Sequence, residues 1–160
     1  MSVDMFLKLG DIKGESKDDK HKGEIDILAW SWGLQNSGSA HHGGGAGSGK
    51  VSVQDVSITK WVDLASPAIV NAACVGKHIG EVTLVVRKAG EKPLEYLTIT
   101  MKEVFITGYS TGGSGGEDRL TENISLNFAR FKHQYKEQAD TGGAGATPDF
   151  SFNIPGNVPE

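Results

Sequence analysis

The chain has little of several things that would have decided its class early. One cysteine, Cys74, occurs in 160 residues, so no intramolecular disulfide can form and the fold does not lean on an oxidising compartment. No run approaches the roughly 20 apolar residues that cross a bilayer as a helix, so no membrane insertion is expected. A cleavable signal peptide is not expected either. "MSVDMFLKLGDIKGESKDDK" has acids where such a peptide is basic, and its apolar residues alternate with polar ones. Excess positive charge is absent too: 16 Lys and Arg against 20 Asp and Glu give a net charge of -4, with no footprint for nucleic acid. At this length one domain, residues 1–160, is the simplest organisation.

What is present is a period of two. Val3, Met5, Leu7 and Leu9 alternate as a half-buried strand does. In "GEIDILAWSWGLQ" the phase places Leu28, Trp30, Trp32 and Leu34 on one face and Ile25, Ile27, Ala29 and Ser31 on the other. "KVSVQDVSITKWVD" changes phase between Val53 and Val56, which suggests a bulge near Asp55. "EVTLVVRKA", "LEYLTITMKEVFITGYS" and "RLTENISLNFARFKHQY" add three strand regions, two of them long enough to bend or divide. One helix interrupts them. In "SPAIVNAACVGK", Ser66 suits the cap, Pro67 the first turn and Gly76 the end, with Ile69, Ala72 and Ala73 on one face. The predicted fold is mainly β, an antiparallel β-barrel with one short helix covering an end, and without the strand–helix alternation of a parallel sheet.

Several motifs invite a catalytic reading and lose it on context. From Gly44, "GGAGSGKV" fits a phosphate loop up to its final position, where Val51 stands in place of a magnesium-binding Ser or Thr and a strand follows instead of a helix. "GGSGG" around Ser114 spells a nucleophile elbow, but the next segment is again a strand, and Asp118 and His133 follow in the right order only by accident. His41 and His42 are adjacent and lack a third ligand, and His21 and His78 are scattered. Glu103, Glu117, Asp118 and Glu122 read as solvated or ion-paired. No catalytic residue, metal or cofactor is therefore expected. Two features remain: a glycine-rich loop over about residues 35–49 and strands apolar on both faces. The first is longer than unstructured loops usually are unless functional or disordered, and the second implies a covered outer face, most simply by other copies of the chain.

"VDMFLKLGDIKGES", "EIDILAWSWGL", "GSAHHGGGAGSGKVSVQD", "TKWVDLASPAI", "EYLTITMKEVFITGYSTGGSGGEDRLTENISLNFARF" and "FNI" occur in that order. Together they resemble the haemolysin-coregulated protein (Hcp) family, the tube protein of bacterial type VI secretion, from Val3 to about Tyr135 and more thinly over the tail, about 139–160. The resemblance implies a barrel with a small helix at its side, assembled as a homohexameric ring. Stacked rings would form the inner tube, within a sheath and below a spike on a baseplate, and would carry and stabilise small effector proteins. The same resemblance places the chain in the bacterial cytoplasm before firing and outside the cell or in a target cell afterwards, without a cleaved signal peptide. Some members of that family bear an added C-terminal toxin domain, and no such extension is expected here, where the sequence closes on "GGAGATPDFSFNIPGNVPE". Within that frame Ser31, opposite the tryptophans, is a candidate for the channel lining. His41, His42, Gly43, Gly44, Gly45, Gly47 and Lys50 are candidates for an arm that joins one ring to the next. A crowded subunit contact at Ser31 and a plain surface loop are the alternative readings, and a monomeric β-barrel binding module is the alternative function.

Overall fold

The computed structural model of the chain describes residues 3–38, 50–90, 92–140 and 145–160. Its backbone is an antiparallel meander of β7 (Ile79–Lys88), β8 (Leu94–Gly112) and β9 (Thr121–Tyr135), to which β1 (Val3–Leu9) is added along β7. β9 is long enough to take two partners on its other edge. Residues Thr121–Leu126 pair with β6 (Val56–Trp61), and Arg130–Gln134 pair with β10 (Asp149–Asn153), which in turn carries β11 (Val158–Pro159).

The two edges of this sheet are drawn together by one stretch. β2 (Ile25–Asp26) pairs with β1, and β3 (Ala29–Ser31) pairs with β6. Between them, the Ile27 N–H donates to the Met5 carbonyl at 3.0 Å and the Leu28 N–H to the Thr59 carbonyl at 2.9 Å. This hand-over gives the stretch its mixed pattern: Ile25 and Ile27 are buried, Trp30 and Trp32 half-buried, and Leu28, Ala29, Ser31 and Leu34 exposed. The sheet thus curls around a single core without closing into a complete ring of paired strands. The expected barrel holds as a mainly β, antiparallel, curled sheet with one helix.

The curl has a visible crease. Strict alternation would bury every second residue, yet three neighbouring strands each turn two successive residues outward: Gly80–Glu81, Lys102–Glu103 and Ala129–Arg130. On either side, Ile79 and Val82, Met101 and Val104, and Phe128 and Phe131 remain in the core. Glu103 achieves the phase change with φ of 56°, a left-handed conformation that costs a residue with a Cβ roughly 1–2 kcal/mol. It sits 3.5 Å from the guanidinium of Arg130.

Three local expectations need correction. No bulge occurs at Asp55. The chain leaves one sheet for another there, because β5 (Val51–Val53) pairs with β4 (Leu34–Asn36) in a separate two-stranded sheet. Gln35 and Asn36 therefore belong to a strand and not to the glycine-rich loop. The helix, α1 (Ser66–Val75), is capped by Ala65 without a side-chain bond. Ser66 lies inside it, where its Oγ accepts from the Asp63 N–H at 2.9 Å and donates to Glu122 at 2.7 Å. Pro67 and Gly76 serve as expected: proline lies in the first turn, and Gly76 adopts φ of 64° at the end. Ile69 and Ala72 are buried, and the helix lies against β8.

Candidate functional site

Alternation on β6 and β9 sends Val56, Ile58 and Lys60, with Glu122, Ile124 and Leu126, inward. Between Trp61 and Asp55, what is left outside is small and uncharged. Ser31, Ser57, Ser125 and Gly108 align in one row across β3, β6, β9 and β8, and Ala29, Thr59, Asn123 and Ser110 align in the next. The row through Gly108 leaves little room, since an added Cβ there would meet the Ser125 hydroxyl at 3.1 Å.

The polar atoms of this face bind one another. Thr59 donates to Asn123 at 2.7 Å and Thr111 to the Thr121 carbonyl at 2.8 Å. At the lower edge Asp55 accepts from Thr107 at 2.6 Å and from Asn127 at 2.9 Å, so both carboxylate oxygens have donors. Thr107 reaches Asp55 from the register shift between Ile106 and Gly108, where a bulge adds one residue to β8. The result is a hydroxyl- and amide-covered sheet face with one acidic side chain, Asp55, held at its rim. Ser31 is exposed on it, opposite Ser57.

Directly behind this face lies a charge cluster that sequence reasoning missed. Lys60 and Glu122 are cross-strand neighbours and both are fully buried. The Lys60 ammonium donates to Glu122, to the Trp61 carbonyl at 2.8 Å and to Asp63 at 2.8 Å, using its three protons. Glu122 also accepts from Ser66 at 2.7 Å and from the Tyr109 hydroxyl at 2.7 Å. Burial opposes ionisation of Glu122, but the bonds from Lys60, Ser66 and Tyr109 outweigh it and hold its pKa below the usual carboxylate value. The same bond to Glu122, reinforced by burial, raises the pKa of Tyr109. The cluster ties β6, β8 and β9 to the start of α1, with Lys60 and Glu122 fully buried and Asp63 and Tyr109 half-buried at its margin.

The catalytic look-alikes do not assemble. Val51, after Lys50, opens strand β5 and not a helix. Ser114 and Asp118 are exposed in the β8–β9 connection. His133 lies twelve residues along β9 from Thr121, on the order of 40 Å at the usual rise of a strand, and it stacks near Trp32 at 6.5 Å between ring centres. Among the described residues no three His, Cys, Asp or Glu side chains gather as a metal site.

The arm candidates fall between β4 and β5 in the sequence. His41, His42, Gly43, Gly44, Gly45 and Gly47 lie outside the described residues, and Lys50 is exposed just before β5. The hairpin itself is anchored by Trp32. Its indole N–H donates to the Gln54 carbonyl at 3.0 Å, and its ring meets the edge of Phe131 at 5.0 Å.

Comparison with known proteins agrees with this architecture over its whole length. Residues 6–135 match the family model described as type VI secretion system effector, Hcp. The chain is 55% identical to protein hcp1 of Pseudomonas aeruginosa over 160 residues, covering 99% of each. Among solved structures, Hcp1 from Salmonella typhimurium is 37% identical, with a TM-score of 0.84 and full coverage of both chains. A structure described as a type six secretion system protein superposes with a TM-score of 0.93 at 28% identity, covering 99% of this chain and 100% of that one. The match over residues 6–135 and this degree of identity place the chain in one family: it belongs to the Hcp proteins of the type VI secretion system.

Proposed function

We propose that six copies of the chain close into a ring with the Ser31 face turned inward, and that stacked rings form the tube expelled by the type VI secretion machine. The observation that carries this reading is the face itself. The chain is 22% charged, yet the aligned rows through Ser31 and Ala29 hold no ionisable group. Such a surface can touch many small effector proteins through hydroxyl and amide groups without requiring an unmatched charge to be buried. Sheath, spike and baseplate proteins would meet the outer and end surfaces. The chain's work is then mechanical and protective, with no turnover and no cofactor. Among the described residues no helix is long and apolar enough to cross a membrane, in keeping with a subunit made in the cytoplasm and released by firing. Residues His41 to Lys50 would reach from one ring to the next. Ten extended residues span on the order of 30 Å.

Ser31→Arg tests the channel assignment. The variant should keep the wild-type hexamer mass by light scattering, because Ser31 contributes nothing to the core. Retention of a co-expressed small effector should fall by about tenfold or more, the equivalent of about 1.4 kcal/mol. A ring that loses its hexamer mass would place Ser31 in a subunit contact instead, and unchanged effector retention would remove it from the channel.

A further inference from the structure

We propose that His21 is a proton-operated latch, whose imidazolium form clamps the β1–β2 connection onto strands β1 and β8 and whose neutral form lets that connection go. Residues 10–24 fold back on themselves, with the Gly14 N–H on the Gly23 carbonyl at 2.8 Å, the Gly23 N–H on Ser16 at 2.8 Å and the Ser16 N–H on Glu24 at 2.9 Å. From this folded loop the His21 ring reaches inward and is only 7% exposed. It stacks on Phe6 of β1 at 4.3 Å, with the planes 11° apart. Nδ1 lies 2.9 Å from Glu24 and Nε2 lies 2.6 Å from Glu95 at the start of β8.

Both partners are carboxylates, which when ionised only accept. A neutral imidazole has one N–H and one lone pair. Whichever nitrogen gave up its proton would therefore face a carboxylate oxygen with no hydrogen between them, at one of those two distances. Only the doubly protonated ring satisfies both bonds. The surrounding charges favour it. The loop contributes Asp18 and Glu24, β1 Asp4 and β8 Glu95, while β7 contributes a single cation, Arg87. That guanidinium is already engaged by Asp18, at 2.6 and 3.0 Å, and by Asp4 at 3.1 Å, and it also covers the Phe6 ring at 4.9 Å.

Burial pulls the His21 pKa down, but the bonds to Glu95 and Glu24 and their charges more than offset this, so it stands above the ordinary 6.5. The direction of the switch follows. A histidine raised in the closed form contributes its full holding free energy below its ordinary pKa and loses it as pH rises through the raised value. The Asp18–Arg87 pair does not release in that range, because the hydrogen bond from Arg87 pulls Asp18 down to about 2. The part set free is the stretch around His21, flanked by Lys20 and the exposed Lys22.

Those lysines supply the assay. Tryptic cleavage after Lys20 and Lys22 in the full chain, normalised to an unstructured peptide of the same sequence, should rise by up to about tenfold per pH unit between the ordinary and the raised histidine pKa, then level off. Glu95→Gln should abolish the rise. The side-chain amide introduced by that substitution can donate to Nε2 of a neutral ring, while Nδ1–H continues to serve Glu24. A flat wild-type profile, or the same rise in Glu95→Gln, would overturn the latch. Should Glu95→Gln misfold, the wild-type imidazole titration followed by NMR decides: a midpoint at or below the ordinary value overturns the proposal, and one above it, moving together with the Gly14 and Gly23 amides, supports it.

Discussion

Lys60→Met is expected to be the most destabilising single substitution outside the apolar core, lowering the unfolding free energy by about 3–5 kcal/mol in a guanidinium titration. The methionine itself fits, being apolar and of similar length. The loss comes from Glu122, which would remain fully buried with its cation gone and only Ser66 and Tyr109 to serve it. Total stabilities of single domains run to about 5–15 kcal/mol, so much of the margin would disappear. Because ionised Glu122 is held below the usual carboxylate pKa, its contribution in the wild type is present above the unfolded carboxylate value and is lost as pH falls through the folded one. The variant should lose that component of its acid dependence. Lys60→Met combined with Glu122→Met should recover part of the stability, since the fully buried Glu122 carboxylate is gone and only the nearly buried Asp63 still lacks the ammonium. Equal destabilisation of the single and double variants would mean that packing, and not the stranded carboxylate, sets the loss.

Trp32→Ala should be second, at about 2–3 kcal/mol, below the range of about 3–5 kcal/mol for truncating a fully buried large aromatic because this ring is half-buried. Its effect should also be regional. The indole supports the β4–β5 hairpin on the main sheet by its bond to Gln54 and its contacts with Phe131 and Phe128. Removing it should raise hydrogen exchange at Leu34–Asn36 and Val51–Val53 far more than in β7 or β8, whose ladder does not touch it. If that hairpin aims an arm at the next ring, the variant should still form single rings while tube length in negative stain collapses. Full-length tubes from a subunit with a loosened hairpin would separate the arm from stacking altogether.

Much of this was legible from period alone. The inward phase of "VSITKW" contains Lys60 with Val56 and Ile58, and the inward phase of "TENISLNF" contains Glu122 with Ile124, Leu126 and Phe128. Two opposite charges at core positions of two strands were thus visible. Their pairing was not, because register depends on which strands meet, and β6 finds β9 across some sixty residues of sequence. The same limit hid the latch: His21 and Glu24 are near neighbours, but Glu95 is 74 residues away. The phase break near Asp55 marks the right place but not its cause, since a bulge and a change of sheet leave the same mark on alternation. Ser66 resembles a cap because a serine before proline looks like one whenever its real acceptor, Glu122, is not in view. Alternation alone groups Ser31 with Ile25 and Ile27, which are buried; its outward placement comes from the hand-over at Ile27 and Leu28, and the charge-free rows around it emerged from four strands brought side by side.

The stretch that passes from β1 to β6 also sets an order of events as the chain folds. Residues 25–31 are made early, yet their partners are not ready early. β1 finds its place along β7, some eighty positions later, and β6 finds its place along β9. Until both have docked on the β7–β8–β9 meander, whose contacts are the most local, residues 25–31 have no pair of edges to bridge, and ordering them would spend chain entropy with little return. The meander is therefore the natural nucleus, and the seam at Ile27 and Leu28 among the last contacts to form. A nascent subunit accordingly exposes two open strand edges until synthesis has run through β9, and it is in that interval that the chain is most open to pairing with the wrong partner.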